Sequence, residues 1–368
     1  MDEREAYIAL NMMEKVGPVG VRAMVSHLGT ARAIFEAGPE AFSGADSLGR
    51  EQVAAVLSQR EKVDWRGEME RAEKAGVRLI ARVDEEYPKN LLEIHDPPLA
   101  LYVRGNLESR DKHAIAIVGT RRATHYGLDC AGTLASQLAQ AGFTIVSGLA
   151  EGIDAAAHRG ALQAKGRTLA VIGSGLDRLY PTSNKELAEM IAKQGAVISE
   201  FSFGREPDRR TFPIRNRVVS GLSMGVLVVE ADQKSGAMIT ANQALEQGRS
   251  VFAVPGRIDN PAARGANDLI KNGAKLVTSA NDVLREYEFL FGAAINAAAG
   301  DRRPKPKLSD DETRLVSLLE PGEKDVDSLI RESGLKAGLV GSLLIGLEMK
   351  HLVRMLPGRM VEMIGAER

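Results

Sequence analysis

The sequence predicts an α/β protein: a doubly wound, Rossmann-like parallel sheet, flanked by a small N-terminal helical domain and a C-terminal winged-helix-like domain. Three observations carry this. Seven short apolar runs between residues 114 and 277 are mostly separated by amphipathic segments of helical length, the pattern of a parallel sheet covered on both faces. The first 75 residues show apolar positions at helical rather than alternating spacing. The chain from Leu308 holds three helical patterns followed by two strand-like runs around Pro357-Gly358, the outline of a winged helix.

Taken in order, residues 1–75 read as short helices, with Ile8, Met12 and Val16, then Val21, Val25 and Leu28, at helical spacing. Val16-Gly17-Pro18-Val19-Gly20 between them is a tight turn similar to that of helix-hairpin-helix or SAM-like modules, whose amides can meet a phosphate. The net acidic charge of this part favours a packing role. Residues 76–113 form a connector with strand-like Val77–Ile80 and Leu101–Gly105, and Asp96-Pro97-Pro98 between them argues for extended edge structure. The apolar runs follow: Ala114–Val118, Phe143–Val146, Thr168–Ile172, Ala196–Ile198, Gly225–Val229, Val251–Val254 and Lys275–Val277. The Rossmann-like domain thus covers 76–290. Residues 291–307 are Ala/Gly-rich, then basic and Pro-rich, and read as a flexible linker. Residues 308–368 carry helical patterns at Asp311–Leu319, Val326–Ser333 and Leu335–Lys350, then strand-like Leu352–Leu356 and Met360–Ile364.

Composition excludes several classes. The 368 residues are 44% hydrophobic, 26% charged and only 4% aromatic, with 37 Gly, so the core is aliphatic and tight turns are frequent. No apolar run is long enough for a membrane helix, and Met1-Asp2-Glu3-Arg4-Glu5 does not open a secretory signal. The single Cys130 excludes an internal disulfide and a cysteine-type zinc site. It is expected to be a small core residue, and a reducing, cytoplasmic setting follows. The formal net charge of −1 hides a gradient: residues 1–111 carry 15 basic and 20 acidic side chains, 112–288 carry 21 and 17, and 308–368 carry 8 and 11. A polyanion site therefore belongs in the middle.

Ligands of open parallel sheets sit at the carboxyl ends of the strands. Five such ends carry glycine-rich turns: Gly119-Thr120-Arg121-Arg122, Ser147-Gly148 through Asp154, Gly173-Ser174-Gly175, Glu230-Ala231-Asp232-Gln233-Lys234-Ser235-Gly236, and Pro255-Gly256. Glycine lets backbone amides approach a ligand, and free amides at helix N-termini attract anions. The dinucleotide pattern Gly-x-Gly-x-x-Gly is absent after the first strand, and there is no Walker-type loop. The six histidines form no metal spacing, and no paired carboxylates stand out. Asp154 and His158, one helical turn apart, read as a structural hydrogen-bonding pair before an acid–base one. Arg205–Arg217 holds five arginines against Glu206 and Asp208, interleaved with Phe212 and preceded by Phe201 and Phe203, a composition suited to phosphate and base contacts.

These segments, in this order, resemble the DNA-processing protein A (DprA, or Smf) family. The resemblance rests on Ala116–Arg121, Ser147–Asp154 with Ala157-His158, Gly173–Asp177 with Tyr180-Pro181, Ser199-Glu200, Phe212–Arg217, Ser235–Ala241, Val254–Gly256 and Gly265–Asn267. It covers about 77–290. Ala237-Met238 stands where the family more often shows Ser-Leu, an apolar change.

The resemblance implies a non-catalytic, cofactor-free protein that binds single-stranded DNA. It implies further that the protein shields incoming strands during natural transformation, loads RecA recombinase and acts as a homodimer, with no membrane partner. Carried onto this chain, the DNA-binding residues are Gly119, Thr120, Arg121, Ser147, Gly148, Ser174, Gly175, Arg215, Asn216, Arg217, Lys234, Ser235 and Gly236. Arg215 and Arg217, two apart on a helix, face different sides, so one serves the pocket and the other a structural acid. The alternative is a Rossmann-like nucleotide phosphoribohydrolase, whose Pro-Gly-Gly-x-Gly-Thr loop and following glutamate are not matched by Lys234–Thr240. The sparsely basic helix Leu335–Lys350 points to a protein-contact or regulatory tail rather than a duplex reader.

Overall fold

The structure, a computed structural model, describes residues 1–42, 49–288, 308–319, 322–350, 352–356 and 358–363. It has two compact units, Met1–Leu290 and Phe291–Arg368. The expected linker 291–307 lies outside the described residues.

The first unit opens with helices α1 (Glu3–Asn11), α2 (Pro18–Leu28), α3 (Ala31–Glu36), α4 (Arg50–Gln59) and α5 (Trp65–Lys74). Asp2 and Glu5 form a capping box on α1, and Gly17 precedes Pro18 at the first position of α2, where a missing N–H costs nothing. Gly20 lies inside α2 rather than in the turn. Strands β1 (Arg78–Ala81) and β2 (Ala100–Gly105) follow, with the single-turn helix α6 (Lys89–Leu92) between them.

The alternating part then runs β3 (Ala114–Val118), α7 (His125–Gln140), β4 (Thr144–Ser147), α8 (Ile153–Gln163), β5 (Thr168–Ile172), α9 (Lys185–Gln194), β6 (Ala196–Ser199) and α10 (Thr211–Leu222). It continues with β7 (Gly225–Val228), α11 (Gly236–Glu246), β8 (Ser250–Ala253), α12 (Arg264–Lys271), β9 (Lys275–Leu276) and α13 (Ala280–Leu284).

The nine strands form one sheet in the order β1-β2-β6-β5-β4-β3-β7-β8-β9. Strands β3 to β9 are parallel to one another, and the connector strands β1 and β2 extend the sheet antiparallel beyond β6. From β3 the chain winds one way through β4, β5 and β6, and the other way through β7, β8 and β9. The topological switch point therefore lies between β3 and β7. Val118 pairs with Val228, so the loops that leave these two strands start side by side.

Every residue of β3 and β5 is buried, as expected for strands covered on both faces. In β5, Ala170 and Ile172 join a core with Tyr7, Ile8, Met24 and Ile34 of the N-terminal helices. Leu169 and Val171 point the other way, into a core with Val218, Val219 and Leu222 of α10. Each large side chain so buried stabilises the fold by about 1.5–3 kcal/mol. The N-terminal helices thus share a core with the sheet. Glu68 of α5, fully buried, reinforces the junction by accepting hydrogen bonds from the Tyr102 hydroxyl at 2.8 Å and the Phe203 amide at 2.8 Å. At the β1 edge, Arg4 donates from Nη2 to the Leu79 carbonyl at 2.7 Å and from Nε to Asp84 at 3.0 Å, and Asp84 accepts from the Ala81 amide at 2.8 Å.

The second unit contains α14 (Asp310–Leu319), β10 (Lys324–Asp325), α15 (Val326–Ser333), α16 (Ala337–Met349), β11 (Val353–Leu356) and β12 (Met360–Met363). The strands pair as β10-β12-β11, and Leu315, Leu329, Val340, Leu344, Val353 and Val361 form its core. This is the expected winged helix, with β10 added; two residues carry no periodicity to read. Among the described residues, no helix is long and apolar enough to cross a membrane.

Candidate nucleic-acid interface

A cavity of about 430 Å³ opens at the β3/β7 switch point, where the connectivity of a doubly wound sheet leaves a crevice. The loop after β3 contributes Gly119, Thr120, Arg121 and Arg122, and the loop after β4 contributes Gly148 and Ala150. Helix α10 contributes Phe212, Arg215 and Asn216, the β7–α11 loop contributes Asp232, Lys234 and Ser235, and α11 contributes its first residue, Gly236. Of the thirteen residues expected from sequence, nine meet here: Gly119, Thr120, Arg121, Gly148, Arg215, Asn216, Lys234, Ser235 and Gly236.

The β3 loop is held tightly. The Thr120 amide donates to the Glu230 carbonyl at 2.6 Å, and the Arg122 amide donates to Thr120 Oγ1 at 3.2 Å. Thr124 caps α7 by accepting from the Gly127 amide. A Cβ on Gly119 would come within 2.7 Å of the Glu230 carbonyl oxygen, so the close approach requires glycine. The Arg121 guanidinium lies over the Phe212 ring at 5.0 Å, and Phe212 in turn meets Tyr180 at 6.1 Å between ring centres. Across the cavity, Ser235 caps α11. The amides of Arg121 and Gly236 have no acceptor among the described residues, which leaves them open to an anion.

Arg215 plays two parts. It is 6% exposed, and its Nη1 donates to the Val171 carbonyl at 2.6 Å and to the Gly148 carbonyl. Its Nε donates to Asn216 Oδ1 at 3.0 Å. Burial pulls its pKa down to about 10, with Asp154 opposing, so it stays charged at neutral pH. It therefore tethers the ends of β4 and β5 while placing a fixed positive charge in the cavity wall.

Asp154 changes what the β4 loop can offer. It is buried and accepts from the Gly148 amide at 3.1 Å and the Ala150 amide at 3.4 Å. Burial raises its carboxyl pKa, and Arg215 pulls the other way. The amides expected to meet a phosphate after β4 are thus used inside the protein.

Four expected residues do not line the cavity. Ser147 is buried and its hydroxyl donates to the Ile117 carbonyl at 2.6 Å. Ser174 donates to the Arg178 carbonyl at 2.7 Å, and the Gly175 amide donates to the Arg205 carbonyl at 2.9 Å. These bonds shape the turn after β5 instead. Arg217 lies on the opposite side of α10, where Nε meets Asp96 at 3.1 Å and Nη2 pairs with Glu200. It lines a different cavity, beside the α1–α2 turn. The two arginines thus divide their roles as their spacing implies, with Arg215 on the candidate site and Arg217 on structural acids.

His158 is fully buried, with Nδ1 2.7 Å from Thr168 Oγ1, and burial followed by the Arg215 charge lowers its pKa to about 3. Asp154 and His158 therefore make separate structural bonds. Cys130 is half-buried rather than a full core residue, and burial raises its thiol pKa.

Two residues act here in ways the sequence did not show: Asp154, read as the partner of His158, captures loop amides instead, and Glu230, given no role, lies beneath the β3 loop. The available signal for Glu230 was an acid directly following an apolar strand run. The cavity lining holds Arg121, Arg122, Arg215 and Lys234 against Asp154 and Asp232, a surplus of two positive charges.

Fold and site together define a Rossmann-like protein with a cationic crevice at its switch point and an appended winged helix. The model of the DNA recombination-mediator protein A family matches residues 78–288, and that of the DprA winged helix domain matches 299–359. The chain belongs to the DNA recombination-mediator protein A family. It is 34% identical to Protein Smf of Synechocystis sp. over 97% of this chain and 98% of that protein. It is 45% identical to DNA processing protein DprA of Bacillus subtilis over 57% of this chain and 71% of that one. Among solved structures, DNA processing protein A from Streptococcus pneumoniae is similar at TM-score 0.61 and 40% identity, covering 66% of this chain and 84% of that chain. DNA processing protein A from Helicobacter pylori, described for its single-stranded DNA binding mode, is similar at TM-score 0.52 and 33% identity, covering 57% and 95%.

Proposed function

We propose that this chain binds single-stranded DNA with little sequence preference, through its backbone phosphates, in the crevice between β3 and β7. The observation that carries the reading is the convergence of Arg121, Arg122, Arg215 and Lys234 with the open amides of Arg121 and Gly236 around one cavity. The strand-binding Helicobacter pylori relative supports it. Phe212 and Tyr180 at the rim add a surface on which bases can stack. The protein acts by binding rather than by catalysis, a reading supported by the engagement of the buried carboxylates Asp154 and Glu230 in structural hydrogen bonds. In the wider role that the family supports, the protein works in the cytoplasm as a homodimer, shields incoming strands and loads RecA recombinase during natural transformation. The division into 1–75, 76–290, 291–307 and 308–368 remains the proposed domain plan, with the last part a regulatory or protein-contact module.

Titration of a labelled oligothymidylate across salt concentrations tests the reading. With about four phosphates neutralised, log affinity falls against log salt with a slope of roughly −3. Binding that is indifferent to salt, or a preference for duplex over single strand, overturns it.

A further inference from the structure

Glu230 follows β7 at the switch point and is 2% exposed, yet it does not line the cavity. One residue grips both ends of the β3 loop. Its carbonyl accepts from the Thr120 amide at 2.6 Å, its Oε2 accepts from the Thr124 amide at 2.9 Å, and its Oε1 accepts from the Thr124 hydroxyl at 2.6 Å. Glycines make room for it: a Cβ on Gly119 would strike the Glu230 carbonyl oxygen at 2.7 Å, and one on Gly127 would strike Oε2. Between the two gripped ends lie Arg121 and Arg122, both exposed to the cavity.

We propose that Glu230 is a positioning residue that holds Arg121 and Arg122 in the phosphate cradle, an inference that rests on the single-stranded DNA reading above. A carboxylate is required because both of its oxygens face donors. The Thr124 hydroxyl already accepts from the Gly127 amide at 3.1 Å, so its proton goes to Glu230. An amide in place of the carboxylate turns an NH₂ toward either the Thr124 N–H or the Thr124 hydroxyl. The first sets donor against donor, and the second leaves the hydroxyl proton without its acceptor. Either way the Thr124 end of the loop is released and the arginines lose their fixed placement.

The test uses the full chain with Glu230→Gln, Arg121→Ala and the double variant, titrated with labelled oligothymidylate over a salt series. Glu230→Gln is expected to weaken binding about tenfold, the size of one charge-assisted contact, and to make the salt slope shallower by about 0.7, the share of one phosphate. The double variant is expected to bind more weakly than Arg121→Ala but by clearly less than the product of the two single effects, since both changes remove the Arg121 contact while Glu230→Gln also frees Arg122; full multiplication of the two effects overturns the proposal. A merely structural role lowers the folded fraction and the apparent affinity but leaves the slope unchanged, and that result overturns the proposal. Hydrogen exchange over residues 119–127 supplies an arm independent of DNA: it accelerates in Glu230→Gln, and unchanged exchange also overturns the strut. Should Glu230→Gln fail to fold, Thr124→Ser is expected to keep affinity and slope while Thr124→Ala lowers both; equal behaviour of the two overturns the proposal. A wild-type chain that does not bind the oligonucleotide overturns the functional reading instead, with the exchange result still judging the strut.

Discussion

Replacing Arg217 by alanine separates structural from binding arginines. Its guanidinium is 7% exposed and lies between Glu200, 11% exposed, and Asp96, 36% exposed. Breaking a buried ion pair by removing one partner costs about 3–5 kcal/mol. The lower end applies here, because Asp96 is partly solvated and Glu200 can take up a proton. Burial already raises the Glu200 carboxyl pKa against the opposing Arg217 charge, and loss of that charge raises it further. The first unit has 290 residues, which at about 2.1 cal/mol/K per residue gives an unfolding entropy near 0.6 kcal/mol/K. A loss of about 3 kcal/mol then lowers the melting temperature by about 5 °C. Calorimetry reads this directly, and a salt titration with oligothymidylate runs beside it. The expected pairing is a lower melting temperature with an unchanged salt slope. An unchanged melting temperature with a shallower slope would refute the reasoning and make Arg217 a phosphate contact.

Two further predictions concern the scaffold around the crevice. Gly152 has φ 78° and ψ −126°, and a Cβ there would strike the Thr120 carbonyl and lie 2.7 Å from the Arg121 carbonyl. Gly152→Ala should therefore destabilise by about 1–3 kcal/mol and also weaken strand binding by shifting the β3 loop; full affinity in a folded variant would show that the loop tolerates displacement. Acid should destabilise the protein through His158, whose folded pKa of about 3 lies well below the ordinary imidazole value of 6.5. The unfolded chain binds the extra proton in that window, so His158 contributes its full stability above pH 6.5 and loses up to about 1.4 kcal/mol per pH unit as pH falls toward 3. Urea midpoints at pH 7.0 and 5.5 should diverge in the wild type and converge in His158→Asn; equal divergence in both would assign the effect to another group.

The sheet was largely legible because its strands are short, apolar on both faces and punctuated by glycine. Runs such as Ala114–Val118 and Thr168–Ile172 coincide with β3 and β5. The crevice was legible for a topological reason: strand ends of a doubly wound sheet point to one rim, so glycine and cation clusters after successive strands converge. Sequence could not show which polar groups the protein uses itself. The bonds of Ser147 to Ile117 and of Ser174 to Arg178, and the capture of the Gly148 and Ala150 amides by Asp154, are decided by angles within tight turns. The spacing of Arg215 and Arg217 implied opposite sides of a helix, but only the position of Glu200 and Asp96 determines which side is structural. The shared core of the N-terminal helices and the sheet gathers Ile8 and Met24 into one cluster with Tyr102 and Val197, residues too distant in sequence for local periodicity to reveal.

The bonding of Arg4 and Asp84 at β1 bears on how the protein can be divided. The outward-facing Leu79 carbonyl and Ala81 amide are both occupied by these side chains, so this margin offers little template for another chain to dock a strand. The family-model match begins at residue 78, and a recombinant fragment started there would discard Arg4 together with the helices that share a core with Tyr102 and Val197. Such a fragment would present an adhesive border beside bare apolar surface, and stickiness in a truncated preparation would reflect the cut rather than a property of the intact molecule.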